Sequence, residues 1–263
     1  MDHDLTIDEK RVYADRTGAV AVLVAAEQGL VVASLSADLV GEFGLDHRAP
    51  VRDVAAAGNR RVVATAEDVL VGTYDPTDFG PAVAVGFDHG GAPVAAGPDG
   101  RVARLDDGWT TLGTVEDPRA VDGGMIAAAD GVHRIVDDGL RDVGLSAVAD
   151  VHGRGMPLAA TASGLYRLGN GWMDECDGAF SVVCADAADD RAAAVGDAGV
   201  LVREAIGEWT PVETPASNVV DVGFTEAATV AVTADGTLLA DAGEGWRTRA
   251  LGVTGVSRLA VQT

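Results

Sequence analysis

The sequence predicts an all-β fold, a seven-bladed β-propeller. Three observations predict it: short β-branched segments between turn residues, one turn motif that recurs along the whole chain, and a C-terminal strand with no following partner. The turn signals are Gly, Asp and Asn, and they come every eight to twelve residues. No long stretch of the 263 residues shows the 3.6-residue apolar period of a helix. Six or eight blades remain alternatives, because the first and fourth units are irregular.

The repeated unit is an apolar strand, a turn that usually ends in Gly, a second strand, a loop and a bulky residue. Three weaker copies begin at Gln28, Glu67 and Asp130. The four strongest copies end at the four tryptophans, Trp109, Trp172, Trp209 and Trp246, whose common phase predicts that they pack between blades. The turn positions are 29, 68, 100, 131, 164, 199 and 236. Their spacing of 31 to 39 residues suits one small antiparallel sheet, or blade, per unit.

The C-terminal strand predicts how the ring closes. The strand starting at Val256 resembles the innermost strand of a unit, but no further strands follow it. The other strands of that unit, from Ala19 onward, lie at the opposite end of the chain. Pairing the two ends in one blade removes free sheet edges. The alternative is that residues 10–16 supply the innermost strand of the first blade. We therefore expect an N-terminal segment, residues 1–17, followed by a single propeller domain, residues 18–263.

These Gly turns and phased tryptophans resemble an uncharacterised haloarchaeal β-propeller family over about Arg11 to Thr263, and more distantly other seven-bladed propellers. The resemblance implies the propeller fold. The repeats lack the Gly-His and Trp-Asp dipeptides of WD40 sequences, so no functional residue is carried over from that family. A propeller fold by itself does not define an activity.

The charge of the chain excludes several partners. The chain has 41 acidic and 19 basic residues, a net charge of −22, and Lys10 is its one lysine. Such a charge repels phosphate backbones and anionic lipids, so we predict binding to neither nucleic acid nor membranes. Acidic residues with arginine in place of lysine are typical of a halophilic protein, and the N-terminus lacks the pattern of a secretory signal. We expect a cytoplasmic protein in molar salt.

The sequence shows no motif for catalysis. The Gly-Lys-Ser/Thr of a phosphate-binding loop is absent, and the five histidines are scattered over different units. Cys176 and Cys184 have no metal-ligand or redox spacing. We therefore assign no catalytic residue and expect neither a cofactor nor a metal.

A set of polar residues on the predicted innermost strands is the strongest candidate site. Asp53, Asp150 and Asp221 lie 14 or 15 residues before the turn of their unit. Arg258 is twelve residues after a tryptophan, as are Asp221 and Cys184. Equivalent positions on equivalent strands face equivalent surroundings, so these side chains are predicted to surround the central channel. They are either structural, bonded to backbone amides between blades, or they bind a cation or a cationic ligand.

The sequence favours a non-enzymatic interaction scaffold that docks another protein of unknown identity. The alternative is a small-ligand or cation-binding propeller, which includes the possibility of an enzyme, with Asp53, Asp150, Asp221 and Arg258 at the channel.

Overall fold

The fold is an all-β ring of seven four-stranded antiparallel sheets, given by a computed structural model that describes residues 19–186, 188 and 191–262. Those residues form 28 strands and no α-helix. None of them therefore belongs to a helix that could cross a membrane. The prediction of seven blades is confirmed.

The strands run from the innermost to the outermost within each of blades 2 to 7. Blade 1 contains β1 (Val20–Ala26), β2 (Gly29–Ser36) and β3 (Leu39–His47). Blade 2 contains β4 (Val51–Ala57), β5 (Arg60–Thr65), β6 (Val69–Val71) and β7 (Asp75–Pro76). Blade 3 contains β8 (Ala84–Phe87), β9 (Pro93–Ala96), β10 (Arg101–Leu105) and β11 (Trp109–Thr114). Blade 4 contains β12 (Ala120–Asp122), β13 (Met125–Ala128), β14 (Gly131–Val136) and β15 (Gly139–Asp142).

The remaining blades complete the ring in the same order. Blade 5 contains β16 (Val148–His152), β17 (Leu158–Thr161), β18 (Gly164–Leu168) and β19 (Trp172–Asp177). Blade 6 contains β20 (Phe180–Ala185), β21 (Ala192–Gly196), β22 (Gly199–Ala205) and β23 (Glu208–Val212). Blade 7 contains β24 (Val219–Phe224), β25 (Thr229–Thr233), β26 (Thr237–Asp241) and β27 (Arg247–Ala250). The last strand, β28 (Arg258–Gln262), is the innermost strand of blade 1.

The ring closes through its two ends. β28 pairs antiparallel with β1, with Ala260 opposite Leu23, which confirms the predicted closure. The strand begins at Arg258 and not at the expected Val256, because the amide of Val256 still donates to the carbonyl of Ala234 in blade 7. The alternative strand at residues 10–16 lies outside the described residues, as does the predicted boundary between residues 17 and 18.

The recurring turn of the sequence occupies one place in every blade, between the second and third strands. Its glycine is a steric requirement in blades 3 and 7. Gly100 and Gly236 have φ angles of 85° and 79°, which only glycine adopts readily. A Cβ there would lie 2.3 and 2.2 Å from the carbonyl oxygens of Val115 and Val253.

The apolar core is divided into seven clusters, each between two neighbouring blades. The alternation of side chains along a strand produces this division. On β1, Val22 and Val24 pack toward blade 7, whereas Leu23 and Ala25 pack toward blade 2. The valine- and alanine-rich strands are therefore buried on both faces.

The tryptophans at the outer strands lie against the preceding blade. The indole of Trp109 donates to the carbonyl of Thr77 in the loop after blade 2, at 3.0 Å. Trp172 donates to the carbonyl of Val143 at 2.8 Å, next to blade 4. The common phase of the tryptophans thus serves packing between blades, as predicted.

Candidate functional site

The candidate site lies on the ring axis, where the innermost strands of the blades meet. Strand pairing defines one equivalent residue on each innermost strand. It connects through the second strand to the first residue after the turn position, or to the second residue in blades 3 and 7. We call this set the first ring. It consists of Asp53, Ala84, Ala120, Asp150, Val182, Asp221 and Arg258. The four predicted residues therefore do share one ring, and all four line the same axial cavity.

The three aspartates of the first ring connect neighbouring blades. Each lies at a register shift of its strand, where backbone amides turn toward the carboxylate. Asp53 accepts hydrogen bonds from the amide of Val54 and from that of Val85 in the next blade, both at 2.8 Å. Asp221 repeats this geometry with the amides of Val222 and Leu259.

Asp150 also bonds to the next blade, since its Oδ2 accepts a hydrogen bond from the amide of Val183 in blade 6 at 3.0 Å. An amide on the inner edge of a propeller has no further strand to pair with, so an unmet hydrogen bond there would be costly. Each carboxylate satisfies one such amide.

Arg258 joins carboxylates from opposite parts of the ring. Its Nη2 donates to Asp150 Oδ1 at 3.2 Å, and its Nε lies 3.9 Å from Asp53 Oδ1. The negative charges of Asp150, Asp221 and Asp53 raise the pKa of Arg258 further above its usual value, against the opposing effect of burial. One guanidinium thus faces three carboxyl groups.

The carboxyl groups are not fully compensated by this single cation. Burial raises the pKa of Asp53 to about 6 and that of Asp221 to about 7. Burial also raises the pKa of Asp150. Arg258 and the backbone amides oppose these shifts. The first ring is therefore an internal ion cluster with more negative than positive groups.

Two residues further along each innermost strand lies a second set of equivalent residues. We call it the second ring. It consists of Ala55, Gly86, Asp122, His152, Cys184, Gly223 and Ala260. The expected equivalence of Cys184 with Asp221 is wrong, because Val182 occupies the first-ring position of blade 6. β20 begins eight residues after Trp172, whereas β24 begins ten residues after Trp209, so counting from the tryptophan fails there.

The polar members of the second ring come from three consecutive blades. Asp122 Oδ2 accepts the amide of Gly153 at 2.9 Å and lies 3.3 Å from Nδ1 of His152. Asp122 Oδ1 lies 3.8 Å from Nε of Arg154. Sequence reasoning missed Asp122 and His152. The signal available was the position of His152 two residues after Asp150, which places both side chains on the same face of the strand.

Eleven of the fourteen residues of the two rings line a cavity of about 270 Å³ on the axis; Ala84, Val182 and Gly86 do not. Carboxylate, imidazole, thiol and guanidinium groups all reach its wall. In the part of the chain that the structure describes, no three His, Cys, Asp or Glu side chains are arranged to hold a metal ion. The cavity wall therefore offers charged and hydrogen-bonding groups.

Seven closed blades with an Asp and Arg cluster on the axis define a β-propeller with a polar centre. The chain belongs to the HVO_0234-like beta-propeller family, whose family model matches residues 6–262. No curated protein matches the chain significantly.

Solved structures share the fold at low sequence identity. A functionally unknown protein from Desulfotomaculum acetoxidans is 12% identical, with a TM-score of 0.64, covering 94% of this chain and 99% of the other. The computationally designed Ika8 protein is 17% identical, with a TM-score of 0.61 and coverages of 92% and 90%. YCF48 bound to D1 peptide is 12% identical, with a TM-score of 0.58 and coverages of 89% and 86%. At these identities the likeness shows the fold alone.

Proposed function

We propose that this protein is a non-enzymatic β-propeller scaffold that docks another protein. The observation that carries this proposal is the use of Asp53, Asp150 and Asp221. Their carboxylates bind backbone amides of neighbouring blades and Arg258, so the strongest candidate ligand site of the sequence acts on the ring itself. A ring rigidified in this way presents its outer strands and loops as a fixed surface.

We place the docking surface on the rim of blades 5 and 6. Among the described residues, three large apolar side chains are exposed: Leu39 (52%), Met173 (39%) and Ile206 (57%). Met173 and Ile206 belong to neighbouring blades, and the amide of Gly207 donates to Glu175 at 2.8 Å, which joins the two elements. We take these two exposed side chains as the apolar part of the docking surface.

Two further features support this proposal. One protein of similar fold, YCF48, is bound to a D1 peptide in its solved structure, so this fold can dock a peptide. The net charge of −22 with a single lysine suits a cytoplasm of molar salt, where surface repulsion is screened and apolar docking keeps its strength.

The experiment is affinity capture in 2 M KCl with three immobilised baits: the natural chain, Met173→Ser/Ile206→Ser and Leu39→Ser. A specific partner identified by mass spectrometry should bind the natural chain and the Leu39→Ser control, and should lose at least 10-fold in recovery with the double variant. Direct titration of the purified partner then gives the affinity. Recovery of the bait alone, or equal recovery with all three baits, would contradict the scaffold proposal.

A further inference from the structure

A second pocket lies at one end of the ring, on the loops that connect the first and second strands of blades 2 to 5. Because the strands of a blade are antiparallel, all four of these loops leave the ring at the same end. They are residues 58–59, 88–92, 123–124 and 153–157. Together with Arg60 at the start of β5, they line a pocket of about 460 Å³, which we call the loop pocket.

Arg60 is held at the loop pocket by the neighbouring blade. Its Nη1 donates to the carbonyl of Gly91 at 2.7 Å, and its guanidinium carbon lies 5.3 Å from the ring centroid of Phe87. A Cβ at position 91 would lie 2.8 Å from Nη2, so glycine permits this approach. Within the described residues, no carboxylate lies within 4 Å of this guanidinium, and its Nε and Nη2 donate no hydrogen bond.

Arg154 brings a second guanidinium to the loop pocket. Its side chain is half exposed, its Nε lies 3.8 Å from Oδ1 of Asp122, and its Nη1 and Nη2 donate no hydrogen bond to any described residue. Asp88 is the one carboxylate on the described wall. Its Oδ1 accepts the amide of Ala92 at 2.9 Å, and its Oδ2 lies 3.9 Å from Nη1 of Arg104. The pocket thus carries two guanidinium groups and one bonded carboxylate, although the whole chain has 41 acidic and 19 basic residues.

The loop between β8 and β9 adds further donors. The backbone amides of His89 and Gly90 make no hydrogen bond with any described residue, and both residues are exposed. The amide of Gly91, by contrast, donates to the carbonyl of Asp88 and fixes the shape of the loop. Guanidinium groups and loop amides that lack acceptors suit an anion with several oxygens, and both groups are common ligands of phosphate.

We propose that the loop pocket binds the phosphate group of a small molecule, whose oxygens accept hydrogen bonds from Arg60 and Arg154. A phosphate group fills only part of about 460 Å³, so the pocket also has room for a small organic group. The net charge of −22 does not prevent this contact, because in about 1 M salt the Debye length is roughly 3 Å and only adjacent charges act. Met173 and Ile206 take no part, so the pocket can exist whether or not the protein is a scaffold.

Calorimetric titration of the full chain in 2 M KCl at pH 8 tests the loop pocket with two probes, inorganic phosphate and glycerol 3-phosphate. Glycerol is the uncharged control, and the chloride of the buffer competes at any site that attracts charge alone. We expect saturable binding of one phosphate group per chain, at least 10-fold weaker binding with Arg60→Gln and at least 5-fold weaker binding with Arg154→Gln. Arg141→Gln, at an exposed position on β15, removes a positive charge outside the pocket and should leave the affinity unchanged. Unfolding curves in the same buffer verify that each variant is folded.

A pair of substitutions at Gly90 tests the location independently. Within 4 Å, a Cβ at this position would meet only Oδ1 of Asp88, at 3.3 Å, so a side chain fits after a small movement. Gly90→Asp places a carboxylate on the pocket wall and should weaken phosphate binding at least 20-fold. Gly90→Asn has the same size without the charge and should bind within about 3-fold of the natural chain.

The two probes distinguish the sources of the phosphate group. Tighter binding of glycerol 3-phosphate assigns the pocket to phosphate esters, whereas equal or weaker binding assigns it to free phosphate, and both results support the proposal. Three results would overturn it: no saturable binding of either probe, equal losses with Arg60→Gln and Arg141→Gln, or equal affinities of the two Gly90 variants. If Arg60→Gln does not fold, the comparison at Gly90 decides.

Discussion

Arg258 holds together carboxyl groups from three blades, and each of those carboxyl groups holds an amide of the next blade. The buried charges thus connect neighbouring blades at the inner edge of the ring, where the innermost strands have no further strand to pair with. A buried ion cluster of this kind depends on every member, since loss of one partner leaves the others uncompensated.

Arg258→Met should therefore destabilise the protein by about 3–5 kcal/mol, because it leaves three buried carboxyl groups without their counter-charge. The loss should be larger at pH 8 than at pH 5, where Asp53 and Asp221 hold protons. Urea unfolding in 2 M KCl measures both values. Arg247→Met is the control, because that arginine forms a solvent-exposed bridge to Asp38, and it should lower the stability much less than Arg258→Met does. Equal stability of the two variants would contradict the role given to Arg258.

The raised pKa values of Asp53 and Asp221 also predict a pH dependence. Between about pH 4 and pH 7 the folded chain binds more protons at these residues than the unfolded chain does, so their contribution to stability falls as the pH rises. The Asp53→Asn/Asp221→Asn variant cannot bind these protons. From pH 5 to pH 8 its free energy of unfolding should fall less than that of the natural chain, by at least about 1 kcal/mol.

Urea unfolding at a series of pH values measures this difference, and Asp174→Asn is the control at an exposed position. Parallel pH profiles for the natural chain and the double variant would show that Asp53 and Asp221 titrate as ordinary surface acids.

At the scale of strands and blades, Glu175 is a second buried carboxylate that connects neighbouring blades, here at the outer rim. It lies on β19 with a side chain 1% exposed, and it accepts hydrogen bonds from Arg167 at 2.7 Å, the amide of Gly207 at 2.8 Å and the indole of Trp209 at 3.3 Å. The last two groups belong to blade 6. Arg167 and these donors hold the pKa of Glu175 below its usual value despite the opposing effect of burial.

Glu175→Ala should lower the free energy of unfolding by about 3 kcal/mol, because it leaves the partly buried guanidinium of Arg167 and two donors of blade 6 without their acceptor. Glu208→Ala, at an exposed position of the neighbouring strand β23, should change stability by less than about 0.5 kcal/mol. Thermal and urea unfolding of both variants give the comparison. If Glu175→Ala behaves like Glu208→Ala, the contact does not join the blades energetically.

The elements themselves were largely predictable from sequence. The recurring turn marks the connection between the second and third strands, and the tryptophans mark the outermost strand. Because both repeat in every clear unit, they predict the number of blades and the order of strands within a blade. The place of Val182 in the first ring was not predictable from Trp172. The connection between β19 and β20 is shorter than that between β23 and β24, and loop length leaves no trace in the alternation of apolar residues.

At the scale of the whole molecule, the acidic surface opposes the compact state. At a net charge of −22 the surface carboxylates repel one another. Salt at about 1 M reduces the Debye length to roughly 3 Å. The repulsion among surface carboxylates should then be mostly screened.

We expect the melting temperature to rise by roughly 10 °C between 0.2 M and 3 M KCl, a shift equivalent to about 3 kcal/mol for a domain of this size. Circular dichroism at increasing KCl concentrations measures it, and the same series for a lysine-rich propeller of low net charge is the control. A constant melting temperature would contradict adaptation to high salt.

The sequence by itself determined the repeat, the seven blades, the closure by the C-terminal strand and the equivalence of Asp53, Asp150 and Asp221, because each follows from local patterns of alternation and turn chemistry. Only the tertiary structure decided what these residues touch. Arg258 meets Asp150 across 108 positions of the chain, and Asp122 meets His152 from a neighbouring blade. Such contacts depend on the curvature of the ring and on exact strand register, which no local pattern encodes.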